Sequence, residues 1–118
     1  MSRGRAHWRV RLSSAAERDF EDIIRWTVRR YGRRQARTYA RTLTKAFEEL
    51  ASGPAVPGVK SREEISAGLF TLHVARRGRK GRHFVLFRAG RDGGRTVIDV
   101  LRVLHDAMDL ARHVPTES

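Results

Sequence analysis

The run Val97-Ile98-Asp99-Val100-Leu101-Arg102-Val103-Leu104-His105 is β-branched and apolar, and Asp106-Ala107-Met108-Asp109-Leu110-Ala111-Arg112 follows it without a break. Valine and isoleucine at this density favour a strand, expected over about Thr96–Leu104. One arginine stands among its hydrophobes and a histidine ends it. An unpaired buried charge is costly. Arg102 and His105 near one sheet end therefore point to a polar site, or to a polar face that a partner covers. The residues after the strand, about Asp106 to Val114, are expected to form a helical turn or two, with Met108 and Leu110 closing the core.

Two more strands precede this one, at about Leu69–Ala75 and Arg82–Ala89. Their connections, Arg77-Gly78-Arg79-Lys80-Gly81 and Gly90-Arg91-Asp92-Gly93-Gly94, carry the glycines of hairpin turns. Ala55 to Gly68 reads as a loop, with Arg62-Glu63-Glu64-Ile65 able to form one helical turn. At the other end of the chain Trp8, Val10 and Leu12 alternate with His7, Arg9 and Arg11, which argues a half-buried strand with Trp8 in the core.

Between these strands the period changes to that of a helix. Ser13 or Ser14 caps the first helix, and Ser14 with Glu17 has capping-box spacing. Ala16, Phe20, Ile23, Ile24, Thr27 and Tyr31 form its apolar stripe. Gly32 ends it. A second helix is expected from about Arg33 to Ser52, with Ala36, Tyr39, Ala40, Leu43, Ala46, Phe47 and Leu50 as its stripe, and Gly53-Pro54 beyond. So short a link makes the two helices an antiparallel hairpin. Trp26 lies between the stripe and the charged face, beside Arg25 and Arg29. Such an aromatic edge either packs on the second helix or anchors a partner.

The order β-α-α-β-β-β predicts an α+β fold of two layers, a helical hairpin packed on a mainly antiparallel four-stranded sheet. The 118 residues fit one domain, with 1–6 and 115–118 as loose ends. The strands are apolar on both sides, so both sheet faces need a cover. The hairpin supplies one; a partner is expected to bury part of the other.

Composition narrows the function classes. The absence of cysteine excludes disulfides, thiolate metal sites and cysteine nucleophiles, and fits a cytoplasmic protein. No stretch approaches the roughly 18 apolar residues that span a bilayer, so no membrane role is expected. The net charge of +12 suits an acidic partner or a nucleic acid. The five histidines lack metal-ligand spacing, Glu63 and Glu64 are sequence neighbours that do not share a helix face, and Gly78-x-x-Gly81 lacks the ending of a phosphate loop. Nothing implies a cofactor.

The segment Leu12-Ser13-Ser14-Ala15-Ala16-Glu17-Arg18-Asp19-Phe20-Glu21-Asp22-Ile23 resembles the opening of ParE-type toxins of the RelE/ParE superfamily. Gly32-x-x-Gln35-Ala36, Gly68-Leu69-Phe70 and Val85-Leu86-Phe87-Arg88 match in order, and Val100-Leu101-Arg102-Val103-Leu104-His105-x-x-Met108-Asp109 is the most specific match. The resemblance covers about Val10 to Val114. It implies a toxin of a type II toxin–antitoxin pair, of the plasmid-stabilising kind, that inhibits DNA gyrase and is neutralised by a ParD-like antitoxin. RelE members of the same fold cleave mRNA on the ribosome instead. The connection Arg76–Arg82 departs from the family pattern by being longer and more basic, as a tolerated insertion or a polyanion contact.

RNA cleavage needs a base, an acid and stabilisation of phosphorane charge. Arg76, Arg88, Arg102 and His105, with Lys80 and Arg82, are the residues that could supply it. A lone histidine at a strand end also serves as a cap, and the ending resembles ParE more than the RNA-cleaving branch. The favoured reading is therefore a non-enzymatic toxin with no catalytic residue. Its antitoxin- or target-binding candidates are Trp26, Tyr31, Arg76, Arg88, Arg102 and His105. Direct nucleic-acid binding is compatible with this reading but not required by it.

Overall fold

The computed structural model describes residues 7–114; the expected loose ends, 1–6 and 115–118, lie outside the described residues. The chain runs β1 (Arg9–Leu12), α1 (Ser14–Tyr31), α2 (Arg33–Leu50), β2 (Lys60–Ser61), β3 (Phe70–His73), β4 (His83–Asp92) and β5 (Arg95–His105), then a 3₁₀ turn at Leu110–Arg112. The sheet order is β1-β5-β4-β3-β2. β1 lies parallel to β5 and every other pairing is antiparallel.

Two helices on a mostly antiparallel sheet match the expected layers, but the sheet has five strands rather than four. The addition is β2, two residues of the expected loop that pair with Phe70 and Thr71 at the sheet edge. So short an edge carries no alternation to read. The β4–β5 turn is also tighter than its glycines suggested. Asp92 pairs with Arg95, so Gly93-Gly94 alone makes the turn and both strands lengthen.

Ser13, not Ser14, caps α1. Its side chain accepts a hydrogen bond from the Ala16 amide at 3.0 Å and donates to the Leu101 carbonyl at 2.9 Å, tying the helix start to β5. Glu17 therefore falls one position beyond a capping box. Gly32, at φ +93°, is both the last cap of α1 and the first of α2, so this one residue makes the turn of the hairpin. Phe20 meets Phe47 across the hairpin at 6.3 Å between centroids. α2 ends at Leu50, two residues short of the expected Ser52.

The main core lies between hairpin and sheet: Leu43, Ala46 and Leu50 face Leu72, Val85, Phe87, Ile98 and Val100, with Trp8 packed against them. Tyr31, expected on the buried stripe, instead stands 61% exposed, because the helix outruns the sheet by its last turn. The second sheet face is not left open. Leu69, Leu86, Leu104 and Leu110 form a smaller core there, flanked by Ile65, Phe84, Leu101 and Val114. Ile65 comes from the loop before β3, while Leu110 and Val114 come from the chain end. This chain supplies much of the cover expected from a partner. Met108, by contrast, is 40% exposed and closes nothing.

A register shift at Leu86/Phe87 leaves Leu101 as the extra residue of a bulge. It also resolves the charge on β5. β1 ends at its pairing with Val100, so the β5 edge beyond has free amides. Asp19 of α1 takes the Val103 amide at 2.9 Å and the Arg102 guanidinium through two bonds, at 2.8 and 2.9 Å. Arg102 also reaches the His113 carbonyl at 3.4 Å. The arginine thus locks helix, strand edge and chain end together, and Asp19 raises its pKa further.

Candidate binding groove

Beyond the C-terminal end of β5, the tip half of the hairpin and the β3–β4 connection enclose a groove of about 1080 Å³. Ile23, Thr27 and Thr42 line its apolar depth, Tyr39 and His83 its inner end, and Trp26 and Tyr31 its outer wall. Trp26 is 52% exposed and meets Tyr31 edge-on at 5.9 Å. Arg25 and Arg29 stand on one bank; Arg79, Lys80 and Arg82 stand on the other. Among the described residues that line it, Asp22 is the one carboxylate, and it pairs with Arg25 at 3.2 Å.

Hydrogen bonds fix the inner end. The Tyr39 hydroxyl accepts from the Arg82 amide at 3.1 Å and contacts His83 Nδ1 at 2.7 Å. Its own proton is then the one available to His83, which makes Nδ1 the acceptor and leaves the proton of the neutral ring on Nε2. Burial, followed by the neighbouring His105, pushes His83 down to about 4, so this ring is neutral at pH 7. Burial likewise raises the Tyr39 phenol. Gly81 permits the approach: a Cβ there would sit 2.6 Å from Val74 Cγ2 and 2.8 Å from the Tyr39 oxygen.

Antiparallel pairing sets His83 opposite His105, with ring centroids 5.3 Å apart. His105 Nδ1 accepts the Ala107 amide at 3.0 Å, so the histidine caps the turn after β5 while its ring lines the groove. Behind it, Asp106 takes Arg82 at 3.1 Å and His73 Nε2 at 2.9 Å. The bond from Arg82, then that from His73, holds Asp106 down at about 2. His73 Nδ1 accepts the Ala75 amide, so both of its nitrogens are engaged.

The expected site residues divide into two groups. Trp26, Tyr31 and His105 meet at this groove. Arg76, Arg88 and Arg102 bond elsewhere, each to a different part of the chain. Arg76 reaches Glu49 of α2 at 2.9 Å, and Arg77 and Arg79 reach the same carboxylate. Burial pushes Glu49 up, but the bonds from Arg76 and Arg79 outweigh it and leave the carboxyl below its usual range. The basic connection is thus pinned to α2 and forms one bank of the groove. Arg88 bonds Ser66 Oγ at 2.6 Å and the Ala67 carbonyl, bracing the loop before β3.

Tyr39, His73, His83, Asp106 and Glu49 were not singled out from the sequence, whereas Arg82, weighed there for phosphate chemistry, is instead bonded to Asp106. Tyr39 read as core stripe. The histidines lie far apart in the chain, and only the strand register assembles them. Among the described residues, no three His, Cys, Asp or Glu side chains could hold a metal ion, and no helix is long and apolar enough to cross a membrane.

Residues 10–110 match the family described as ParE toxin of type II toxin-antitoxin system, parDE. Toxin ParE1 of Caulobacter vibrioides is 33% identical over 104 residues, 88% of this chain and 95% of that protein. Toxin ParE1 of Mycobacterium tuberculosis is 34% identical over 106 residues, 90% of this chain and 97% of that protein. Two solved structures share the fold. A chromosomal ParDE system from P. aeruginosa superposes with a TM-score of 0.64 at 20% identity, covering 84% of this chain and 96% of that one. A YoeB/ParE toxin from Agrobacterium tumefaciens gives 0.57 at 12% identity, covering 82% and 96%.

Proposed function

The chain belongs to the ParE toxins of type II toxin–antitoxin systems, and from that premise we propose that it inhibits DNA gyrase in the cytoplasm by binding it, and that a ParD-like antitoxin neutralises it. The observation that carries this reading is the groove, which joins an apolar depth, two exposed aromatic rings and cations on both banks. An acidic amphipathic helix suits it: apolar positions fill the depth, Trp26 and Tyr31 act as anchors, and carboxylates meet the banks. The overall charge speeds capture of such a segment.

Arg76, Arg88 and Arg102 are the cations that mRNA cleavage would draw on, and each bonds this chain's own groups. That supports a protein-binding toxin over a nuclease. A supercoiling assay with purified toxin tests the proposal. Loss of gyrase activity, restored by the antitoxin encoded beside the toxin gene, is the expected result; full activity at large molar excess of toxin refutes it.

A further inference from the structure

A dense cluster of exposed arginines lies beyond the groove, at the tip of the hairpin. Residues 22–37 hold Arg25, Arg29, Arg30, Arg33, Arg34 and Arg37 against the single carboxylate of Asp22, and all six arginines are exposed. Among the described residues, Asp22 pairs with Arg25, while no carboxylate pairs with Arg29, Arg30, Arg33 or Arg34. The other basic cluster differs. Arg76, Arg77 and Arg79 share Glu49, and Arg82 meets Asp106. Two exposed rings stand at the same tip, Trp26 at 52% and Tyr31 at 61%. Set edge-on to one another, they cannot stack together, and each keeps a face for an outside ring.

Guanidinium groups around open aromatic faces are the elements of a single-strand nucleic-acid site, where cations track phosphates and bases stack on rings. The aliphatic anchors that an acidic helix needs lie in the depth of the groove, whereas the widest apolar surfaces at the tip are the two rings. We infer that the hairpin tip binds single-stranded nucleic acid, with Arg29, Arg30, Arg33 and Arg34 on successive phosphates and Trp26 and Tyr31 stacking on bases. Because Trp26, Tyr31 and Arg29 also line the groove, an occupant of the groove and a strand at the tip compete.

The test is fluorescence anisotropy with a labelled 12-nucleotide single-stranded DNA of mixed sequence and the intact toxin, with no gyrase present. Failure of the gyrase reading therefore leaves this measurement standing, and the reverse holds too. Four phosphate contacts give a slope of log affinity on log salt of about −3. The quadruple variant R29Q/R30Q/R33Q/R34Q is expected to flatten that slope to near zero. W26A/Y31A is expected to weaken binding about tenfold or more at unchanged slope, since stacking is uncharged. R91Q/R95Q, two exposed arginines at the opposite end of β4 and β5, is the charge control and is expected to bind within about twofold of the parent, a small loss by the same salt reasoning. All substituted residues are exposed, and circular dichroism confirms folding of each variant. Equal losses in the control and the quadruple variant overturn the assignment. So does a W26A/Y31A variant that binds as the parent does.

Discussion

His83 ties acid stability to the inner end of the groove. Its ring is held neutral, at about 4 against an ordinary 6.5. In the unfolded chain it takes a proton at 6.5, so between pH 6.5 and 4 the unfolded state binds more protons than the folded state. Stability therefore falls as pH drops through that window and levels off below it. At pH 5.0 the difference in proton binding is worth about 2 kcal/mol, and at pH 7.5 almost nothing. Asp106 adds little here, because its depressed value, about 2, confines its loss of stability to the range below the ordinary carboxylate value. The perturbation is His83→Asn, whose side-chain oxygen can still accept the Tyr39 hydroxyl but cannot gain a proton. Urea unfolding of both proteins at pH 7.5 and 5.0 gives four free energies. The other histidines are common to both chains and cancel in the double difference. The parent is expected to lose about 2 kcal/mol more than the variant between the two pH values. Equal losses refute the claim that burial against Tyr39 and His105 keeps this ring neutral.

Other substitutions probe separate links. Asp19→Ala leaves the Arg102 guanidinium and the Val103 amide without their shared acceptor, at an expected cost of about 2 kcal/mol in chemical denaturation; a cost under about 0.5 kcal/mol shows that the pair does not hold α1 to β5. Gly81→Ala places a methyl against Val74 and Tyr39, and is expected to destabilise by about 1–3 kcal/mol and to release the pH dependence that His83 confers; an unchanged pH profile contradicts the close approach. Trp26→Ala removes an exposed ring, so thermal stability should change by less than about 1 kcal/mol, while antitoxin affinity by calorimetry should fall at least about tenfold. Parent-like affinity removes Trp26 as an anchor.

Much of the fold was legible because its signals are local. The stripe from Ala16 to Thr27 and the run from Val97 to Leu104 each repeat over neighbouring residues, and a backbone period converts such repeats directly into a buried face. Gly32 marked the helix junction for the same reason, and the pair Ser13-Ser14 marked the first helix start without deciding which serine caps it. Tyr31 broke the pattern because periodicity assigns a direction, and burial needs something in that direction. The sheet ends before the helix does.

The groove was legible only in part. Trp26 and Tyr31 stood out as aromatics among arginines, and His105 as the polar end of an apolar strand. Tyr39 looked like any other core position on its stripe, and Arg76, Arg88 and Arg102 looked available because their acceptors are remote in sequence. Glu49, Ser66 and Asp19 became visible as partners only once the helices lay on the sheet.

By itself, the sequence determined two amphipathic helices, their hairpin, four of the five strands and a surface with a large excess of positive charge, since each follows from composition or short-range period. The tertiary structure decided the parallel pairing of β1 with β5, the covering of the second sheet face by the chain's own end, and the meeting of His83 with His105 beside Tyr39. Those depend on register and on which distant segments touch. Strand pairing satisfies the same backbone groups in many registers, and side-chain packing on both faces selects one.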